Sequence, residues 1–207
     1  MNPIELVKQD LTTEQLENSL LERGVVELPD QCPFVNNRIF AFYGATREFD
    51  FPTLPHGSFC LYAANGTRAI RLSRAQKEIC QVLAQEWQHL SNADPIVLAS
   101  LILKFYDGGI KSSHRVLKDE HDLIEVGPNY TINVKELDKC RDAIGETSLT
   151  IVDQELHIRA VTLMGWMHNK SNLGVERLTV DSSGSVMLDG REQLSKRIFK
   201  STPQIRY

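Results

Sequence analysis

The chain has 207 residues, of which 42% are hydrophobic and 24% charged, and this composition is typical of a globular protein that can bury a core. Its net charge of −4 argues against non-specific coating of nucleic acid, although a local DNA site needs only well-placed cations. No apolar run approaches the roughly 18 residues of a membrane span, and residues 1–30 hold seven acidic against two basic side chains. We therefore expect no signal peptide, no membrane association and a cytoplasmic location.

The four cysteines and six histidines are scattered, so no cluster has the spacing of metal ligands. Cys80 and Cys140 fall on apolar helix faces and are expected to be buried free thiols, while Cys32 and Cys60 belong to no CxxC pair. The GxGxxG, P-loop, GxSxG and HExxH motifs are also missing. We expect no metal, no cofactor and no enzymatic activity; an enzyme without a recognisable motif is a minor alternative.

The first predicted region, residues 1–72, combines a helix with a small antiparallel sheet. Thr12 and Gln15 form a capping box, which predicts that a helix starts there. Asn65-Gly66 lies between two alternating apolar runs and predicts a tight hairpin. Strands are predicted over residues 25–28, 38–43, 59–63 and 68–72.

Two helices open the second predicted region, residues 73–145, and a third closes it. Ser73 caps the first helix, whose apolar residues recur every three or four positions. Asp94-Pro95 predicts the start of the second helix, which ends at Gly108-Gly109. Asn133 begins another capping box and predicts the start of the third helix.

Between these helices, residues 112–134 change their hydrophobic period halfway. The apolar pair Val116-Leu117 predicts one buried side of a short helix over residues 113–121. Two runs rich in β-branched residues follow, at residues 123–126 and 130–134, and a Gly-Pro-Asn turn separates them. A short helix followed by a two-stranded ribbon is typical of the second half of a winged helix-turn-helix.

The sequence of residues 114–137, HRVLKDEHDLIEVGPNYTINVKEL, resembles the winged-helix domain of Crp/Fnr-type transcription regulators. The resemblance extends over about residues 94–137, because Leu98-Ala99 and Gly109 match the family's first helix and turn. It implies that the second helix reads DNA. The effector-binding β-roll and dimer helix of the family are not carried over, since too few residues precede the module and residues 146–207 follow it.

DNA binding is the function that this interpretation predicts, because cations near the start of such a helix reach guanine edges or phosphates. The candidate DNA-binding residues are Lys111, Ser112, Ser113, His114, Arg115 and Lys118, with Arg68, Arg71 and Arg74 as further contacts. Residues 94–134 nevertheless hold six acids against four bases, which also fits a module that docks a protein. We predict a DNA-binding transcription regulator, as a homodimer, with a non-catalytic protein–protein adaptor as the alternative.

The third predicted region, residues 146–207, is mostly β. Turns at Asp153-Gln154 and at residues 181–184 are predicted to join two pairs of strands. The strands are predicted over residues 149–152, 156–164, 175–180 and 185–188, and a basic helix over residues 191–200. Together the three regions predict an α+β protein in which a central winged helix-turn-helix is flanked by small antiparallel β segments.

Overall fold

The computed structural model describes residues 1–12, 24–43, 59–72, 76–106, 115–126, 130–164 and 172–201. These residues mix helices with antiparallel strands, so the α+β class is confirmed. The helices are α1 (Pro3–Thr12), α2 (Gln76–Glu86), α3 (Pro95–Tyr106) and α4 (Val134–Cys140). The strands are β1 (Val25–Glu27), β2 (Arg38–Tyr43), β3 (Phe59–Ala64), β4 (Ala69–Arg71), β5 (Arg115–Leu117), β6 (Tyr130–Ile132), β7 (Ser148–Val152), β8 (Glu155–Met164), β9 (Asn172–Val180), β10 (Val186–Ser195) and β11 (Phe199–Ser201).

Strands β1 to β4 form the first sheet, in sequence order and antiparallel throughout. The predicted β3–β4 hairpin is confirmed, and its turn is held by Asn65, whose side-chain oxygen accepts the backbone N–H groups of Thr67 and Arg68. One face of the sheet packs against α1, where the Tyr62 hydroxyl donates to Asp10 at 2.9 Å. The sequence patterns indicate no helix before Thr12, so α1 is an addition to the prediction. The helix predicted from Thr12 onward lies in residues outside the described ranges.

Helices α2 and α3 lie between the first sheet and a second one, and they supply the centre of the largest core cluster. This cluster contains Ile79, Val82 and Leu83 of α2, Leu98 and Ile102 of α3, Ile39 and Leu61 of the first sheet, and Leu156, Ile158 and Leu178 of the second. The nearly continuous apolar sequence of α3 fits a helix that is covered on two sides. Both predicted helices are confirmed, and the cluster includes residues from all three predicted regions.

The last residue of α2, Glu86, fastens this helix to the loop before β2. Its buried carboxylate accepts hydrogen bonds from the backbone N–H groups of Val35, Asn36 and Asn37 at 2.8 to 3.1 Å. The side-chain amide of Asn37 donates to the same carboxylate at 2.6 Å. The side-chain oxygen of Asn37 in turn accepts from Asn65 at 3.1 Å, so one network joins α2, the loop and the β3–β4 turn.

The second sheet has the order β10-β9-β8, and both β5 and β7 pair with the remaining edge of β8. Strand β7 pairs along the first half of β8, from Val152↔Glu155 to Ser148↔Arg159, and β5 pairs along the second half. The Thr147 hydroxyl links the two halves, because it donates to the Leu117 carbonyl at 2.6 Å and accepts from the Val161 amide at 3.3 Å. The predicted strand pairs β7–β8 and β9–β10 are confirmed.

Gly184, in the turn between β9 and β10, is buried against α2. Its φ of +77° is in the left-handed region, which side chains other than glycine rarely adopt. A Cβ atom on this residue would lie 2.0 Å from the Cys80 carbonyl oxygen of α2. The backbone of the turn is therefore in direct contact with the backbone of α2, which explains why glycine occupies this position.

The short helix predicted over residues 113–121 is wrong for the residues that the structure describes. Arg115–Leu117 is strand β5, which pairs antiparallel with β8 through Arg115↔Leu163 and Leu117↔Val161. Val116 and Leu117 are both buried, but they lie on opposite faces of the sheet and belong to different core clusters. Adjacent apolar residues that serve two cores require a strand, since a helix would place them on one side.

The predicted ribbon is also wrong in its first strand. Residues Glu120–Val126 form a 3₁₀ helix, and its start is held by the Asp119 carboxylate, which accepts the His121 N–H at 2.7 Å. Such side-chain-to-backbone bonds compete with strand pairing. Strand β6 is present, but it pairs with β11 instead of the predicted partner, in the register Phe199↔Ile132.

The predicted basic helix over residues 191–200 is wrong as well. Strand β10 continues to Ser195, and β11 begins at Phe199. The charged side chains of this segment suggest a solvated helix, but in the structure they form ion pairs across the sheet. Glu192 bonds Arg177 at 3.2 Å, and Arg191 bonds the buried Glu176 at 3.1 Å. Tertiary pairing thus overrides the local pattern.

Candidate functional site

The candidate DNA-binding residues do not form one surface within the described part of the chain. Lys111, Ser112, Ser113, His114 and Arg74 lie outside the described residues. Arg115 begins β5 of the second sheet and Lys118 follows this strand, and both are exposed. Arg71 lies in β4 of the first sheet, and Arg68 precedes that strand. The structure therefore describes four of the nine predicted DNA-binding residues, and these four are divided between two sheets. Their contact with DNA stays a prediction.

Acidic groups surround Lys118 in the structure. Its backbone N–H donates to the Asp122 carboxylate at 2.5 Å. The backbone N–H of His121 donates to Asp119 and holds the pKa of that carboxyl below its usual value, so Asp119 stays ionised beside Lys118. Glu120 bonds Arg141 at 3.0 Å. This arrangement disfavours phosphate at the end of β5, because the anions lie on the same short segment as the cation.

One half of the outer face of the second sheet is left open by the described residues. The other half is apolar and covered: Val161 and Leu163 of β8 pack with Leu137 of α4 and Phe199 of β11 in a third core cluster. Toward the β7–β8 turn, the same face becomes polar, and apart from the buried Thr179 its side chains are partly or fully exposed. We call this part the open face and define it by Thr150, Val152, Glu155, His157, Thr179, Met187 and Asp189.

A chain of hydrogen bonds crosses the open face from strand to strand. The pairs His157↔Thr179 and Met187↔Thr179 place His157 and Thr179 side by side on β8 and β9. Nδ1 of His157 lies 3.0 Å from the Thr179 hydroxyl, and this hydroxyl donates to the Asp189 carboxylate. On its other side, Nε2 of His157 lies 3.7 Å from Oε2 of Glu155. The imidazole therefore lies between the Thr179 hydroxyl and the Glu155 carboxylate.

Asp189 reaches Thr179 because β10 is irregular at this point. The register shifts between Leu188 and Gly190, so Asp189 is an extra residue of a β-bulge. Bulges redirect side chains and are over-represented next to functional sites. Thr179 itself is buried, so the hydroxyl positions the ring of His157 and is shielded from solvent.

Two exposed apolar side chains flank this polar chain. Met187 of β10 is 58% exposed and Val152 of β7 is 51% exposed. They lie at opposite edges of the open face, with His157 and Thr179 between them. The open face thus offers two exposed apolar side chains, one of them a methionine, a residue type that is enriched at protein interfaces, together with oriented hydrogen-bonding groups.

A groove of about 230 Å³ lies elsewhere, between the 3₁₀ turn Pro29–Gln31 and α3. It is lined by Asp30, Gln31, Ile96, Val97, Ser100, Leu101 and Lys104. Burial lowers the pKa of Lys104 at its end. The groove is smaller than the roughly 300–1,000 Å³ of typical ligand pockets, so we prefer the open face as the candidate site.

Within the described ranges, no group of three or more His, Cys, Asp or Glu side chains has the geometry of a metal site. Cys32, Cys80 and Cys140 are free thiols, and Cys140 is buried as predicted, whereas Cys80 is only half-buried. Burial raises the pKa of Cys32 and of Cys140, which disfavours the reactive thiolate. Among the helices that the structure describes, none combines the length and apolarity needed to cross a membrane.

No family model, no curated protein and no solved structure matches this chain. Sequence analysis does not identify this site, because His157 has the pattern of an ordinary polar residue on an alternating strand. The strand register and the β-bulge bring the residues of the site together, and no short sequence motif predicts either of them.

Proposed function

We propose that the protein is a non-catalytic adaptor that docks another protein on the open face. The main support is that the described residues cover one half of the outer face of the second sheet with apolar side chains and leave the other half exposed. The exposed half bears Met187 and Val152 at its edges and the bonded group of His157, Thr179 and Asp189 between them. Methionine is enriched at protein interfaces, and hydrogen-bonding groups held in a fixed orientation add specificity to such a contact.

Sequence-specific DNA binding through the exposed residues Arg115 and Lys118 is the competing proposal. It ranks second, because residues 115–117 are a strand and Asp119 and Asp122 lie beside Lys118. Assembly as a homodimer is compatible with either proposal.

The adaptor proposal is tested by crosslinking inside the host organism. A photoreactive amino acid replaces Met187, and the matched control replaces Val35, which is 69% exposed away from the open face. We expect a discrete protein adduct from position 187 and none from position 35. The partner, identified by mass spectrometry and purified, should bind Met187→Glu at least about tenfold more weakly than the unaltered chain, since an unpaired carboxylate buried in place of an apolar contact costs more than about 1.4 kcal/mol.

The same experiment separates the two proposals. Equal adducts from positions 187 and 35, or an identified partner that binds Met187→Glu normally, would contradict docking on the open face. DNA binding instead predicts an affinity that falls steeply with salt concentration and a sequence preference that Arg115→Ala relaxes, by about 1–3 kcal/mol at the contacted base pair. Fluorescence anisotropy with labelled duplexes measures both quantities.

A further inference from the structure

Most edge strands among the described residues have features that prevent further pairing. Strand β10, at one edge of the second sheet, has two register shifts and carries the charged residues Asp189, Arg191 and Glu192. Strands β1, β4 and β5 have only three residues each. Bulges, charges and short length are the usual means by which a sheet edge avoids pairing with another chain.

Strand β7 has none of these protections. Its five residues include no charged residue and no proline, and its pairing with β8 is regular over the whole strand. Ile151 is 54% exposed and Val152 is 51% exposed. Within the described part of the chain, no strand pairs with the other side of β7. An exposed, uncharged edge strand of this kind is a template for the addition of another strand.

The register of the β7–β8 hairpin shows which backbone groups of β7 point outward. Val152 flanks a two-residue turn, and the residues that flank such a turn bond each other, so Val152 bonds β8. Alternate residues of an antiparallel strand bond the same neighbour, so Thr150 and Ser148 bond β8 as well. The N–H and C=O groups of Leu149 and Ile151 therefore point to the free edge. They form no backbone bond to a loop or turn among the described residues.

We propose that β7 pairs antiparallel with β7 of a second copy of this chain, about a twofold axis at Thr150. In this register Ile151 lies opposite the partner's Leu149, and every outward N–H and C=O group of the strand is bonded. Ile151 then extends the apolar inner face, where Leu149 packs against the largest core cluster. On the outer face Thr150 lies opposite the partner's Thr150, which is a favourable cross-strand pair. The strand is therefore complementary to itself in hydrogen bonding, apolar contact and charge.

This pairing would join two five-stranded sheets into one continuous sheet. Directly opposed residues of an antiparallel pair point to the same face, so the open faces of both copies would lie on one side of it. Twofold interfaces of this self-complementary type are the commonest in homo-oligomers. The inference goes beyond the docking of another protein, and its failure would leave the crosslinking result at Met187 unchanged.

Disulfide trapping of the full chain, with oxidised glutathione as the oxidant, tests the register. Thr150→Cys places two thiols opposite each other with Cα atoms about 4.5 Å apart, and disulfides join Cα atoms roughly 4.4–6.8 Å apart. Val152→Cys is the matched control on the same strand and face, because its two copies would lie about 14 Å apart along the paired strands. We expect at least about tenfold more covalent dimer from Thr150→Cys than from Val152→Cys or from the unaltered chain with its native cysteines.

Sedimentation velocity measures the dimer without a crosslink. Two five-residue strands cover less than the roughly 1,200 Å² at the lower limit of stable interfaces, so we expect a Kd between about 10 and 300 µM. Ile151→Lys should raise this Kd at least about tenfold, since a charge on the edge blocks pairing. Val35→Lys should leave it unchanged, because Val35 is 69% exposed in the loop before β2.

Three results would overturn the proposal. They are an unaltered chain that stays monomeric at about 1 mM, a dimer that Val35→Lys weakens as much as Ile151→Lys, and equal crosslinking of Val152→Cys and Thr150→Cys. Circular dichroism of each variant confirms that it is folded. If Ile151→Lys does not fold, the comparison of the two cysteine variants decides.

Discussion

At the scale of single residues, the buried Glu86 carboxylate accepts hydrogen bonds from three backbone N–H groups and from the side-chain amide of Asn37. Glu86→Gln would replace one of its oxygen atoms by an amide group, which donates toward the N–H groups of residues 35–37. We expect the free energy of unfolding to fall by about 2–4 kcal/mol, because hydrogen bonds to a charged group contribute about 1.5–3 kcal/mol and buried donors would lose their acceptor. Urea unfolding followed by circular dichroism measures this loss.

A suitable control for that variant is Glu5→Gln on α1. Glu5 forms an exposed pair with Lys8 at 3.2 Å, and pairs of this kind contribute less than about 1 kcal/mol. Equal losses in the two variants would show that the bonds to Glu86 do not hold the loop to α2.

Gly184 allows a second test at this scale, because both its left-handed backbone conformation and the close approach of α2 exclude a side chain there. We expect Gly184→Ala to lower the free energy of unfolding by at least about 2 kcal/mol: the left-handed backbone alone costs about 1–2 kcal/mol, and the Cβ atom would collide with the Cys80 carbonyl. Gly190→Ala is the matched control, since a Cβ atom at Gly190 would meet nothing within 4 Å. Denaturant unfolding of both variants should separate them clearly, and similar values would refute the close approach.

At the scale of elements, the β7–β8 hairpin has a turn that its sequence does not favour. Asp153 and Gln154 both have positive φ, 49° and 65°, as in the two-residue turns that prefer Asn-Gly or Asp-Gly. We expect Gln154→Gly to raise the free energy of unfolding by about 0.5–1 kcal/mol, because it removes a left-handed strain of about 1–2 kcal/mol at some cost in chain entropy. Thermal unfolding measures the gain.

The neighbouring β9–β10 turn supplies the comparison for Gln154→Gly. Ser182 is exposed and is not among the residues with positive φ, so Ser182→Gly should only add chain entropy to the unfolded state. A gain in stability from Ser182→Gly as well would mean that the effect at Gln154 does not come from its backbone conformation.

The strands and helices with one apolar face are those that sequence patterns predict well. The β3–β4 and β7–β8 hairpins and helix α2 are examples, because turn residues or a single period define them. Helix α3, which is covered on two sides, is predicted instead from its Asp94-Pro95 start. Residues 115–126 contradict the prediction for a physical reason: Val116 and Leu117 serve two cores on opposite faces of one sheet. A two-residue apolar pair has no period, so only the tertiary partner, β8, selects the strand.

At the scale of the whole molecule, the largest core cluster joins residues from all three predicted regions. We therefore expect a single cooperative unfolding transition, because no region can open without exposing apolar residues of another. Far-UV circular dichroism and the fluorescence of Trp87, which packs against this cluster, should report the same urea midpoint in a Trp166→Phe variant. Two separate midpoints would instead support independent units over residues 1–72, 73–145 and 146–207.

The candidate site also depends on the whole molecule, because its residues come from several strands. Glu155 and His157 are close in sequence, but Thr179 and Asp189 come from two further strands, and Asp189 needs the bulge to reach them. Alternation along β8 is enough to predict that Glu155 and His157 share a face. The register that adds Thr179 depends on side-chain packing across the sheet, which a single sequence does not specify.

Strand β11 has a consequence for the order in which the protein is made. Ile198 and Phe199 are buried with Leu117, Leu163 and Leu173 in the third core cluster. During translation these three leucines emerge well before the two residues that cover them. The nascent chain therefore leaves these leucines incompletely covered until Phe199 has left the ribosome.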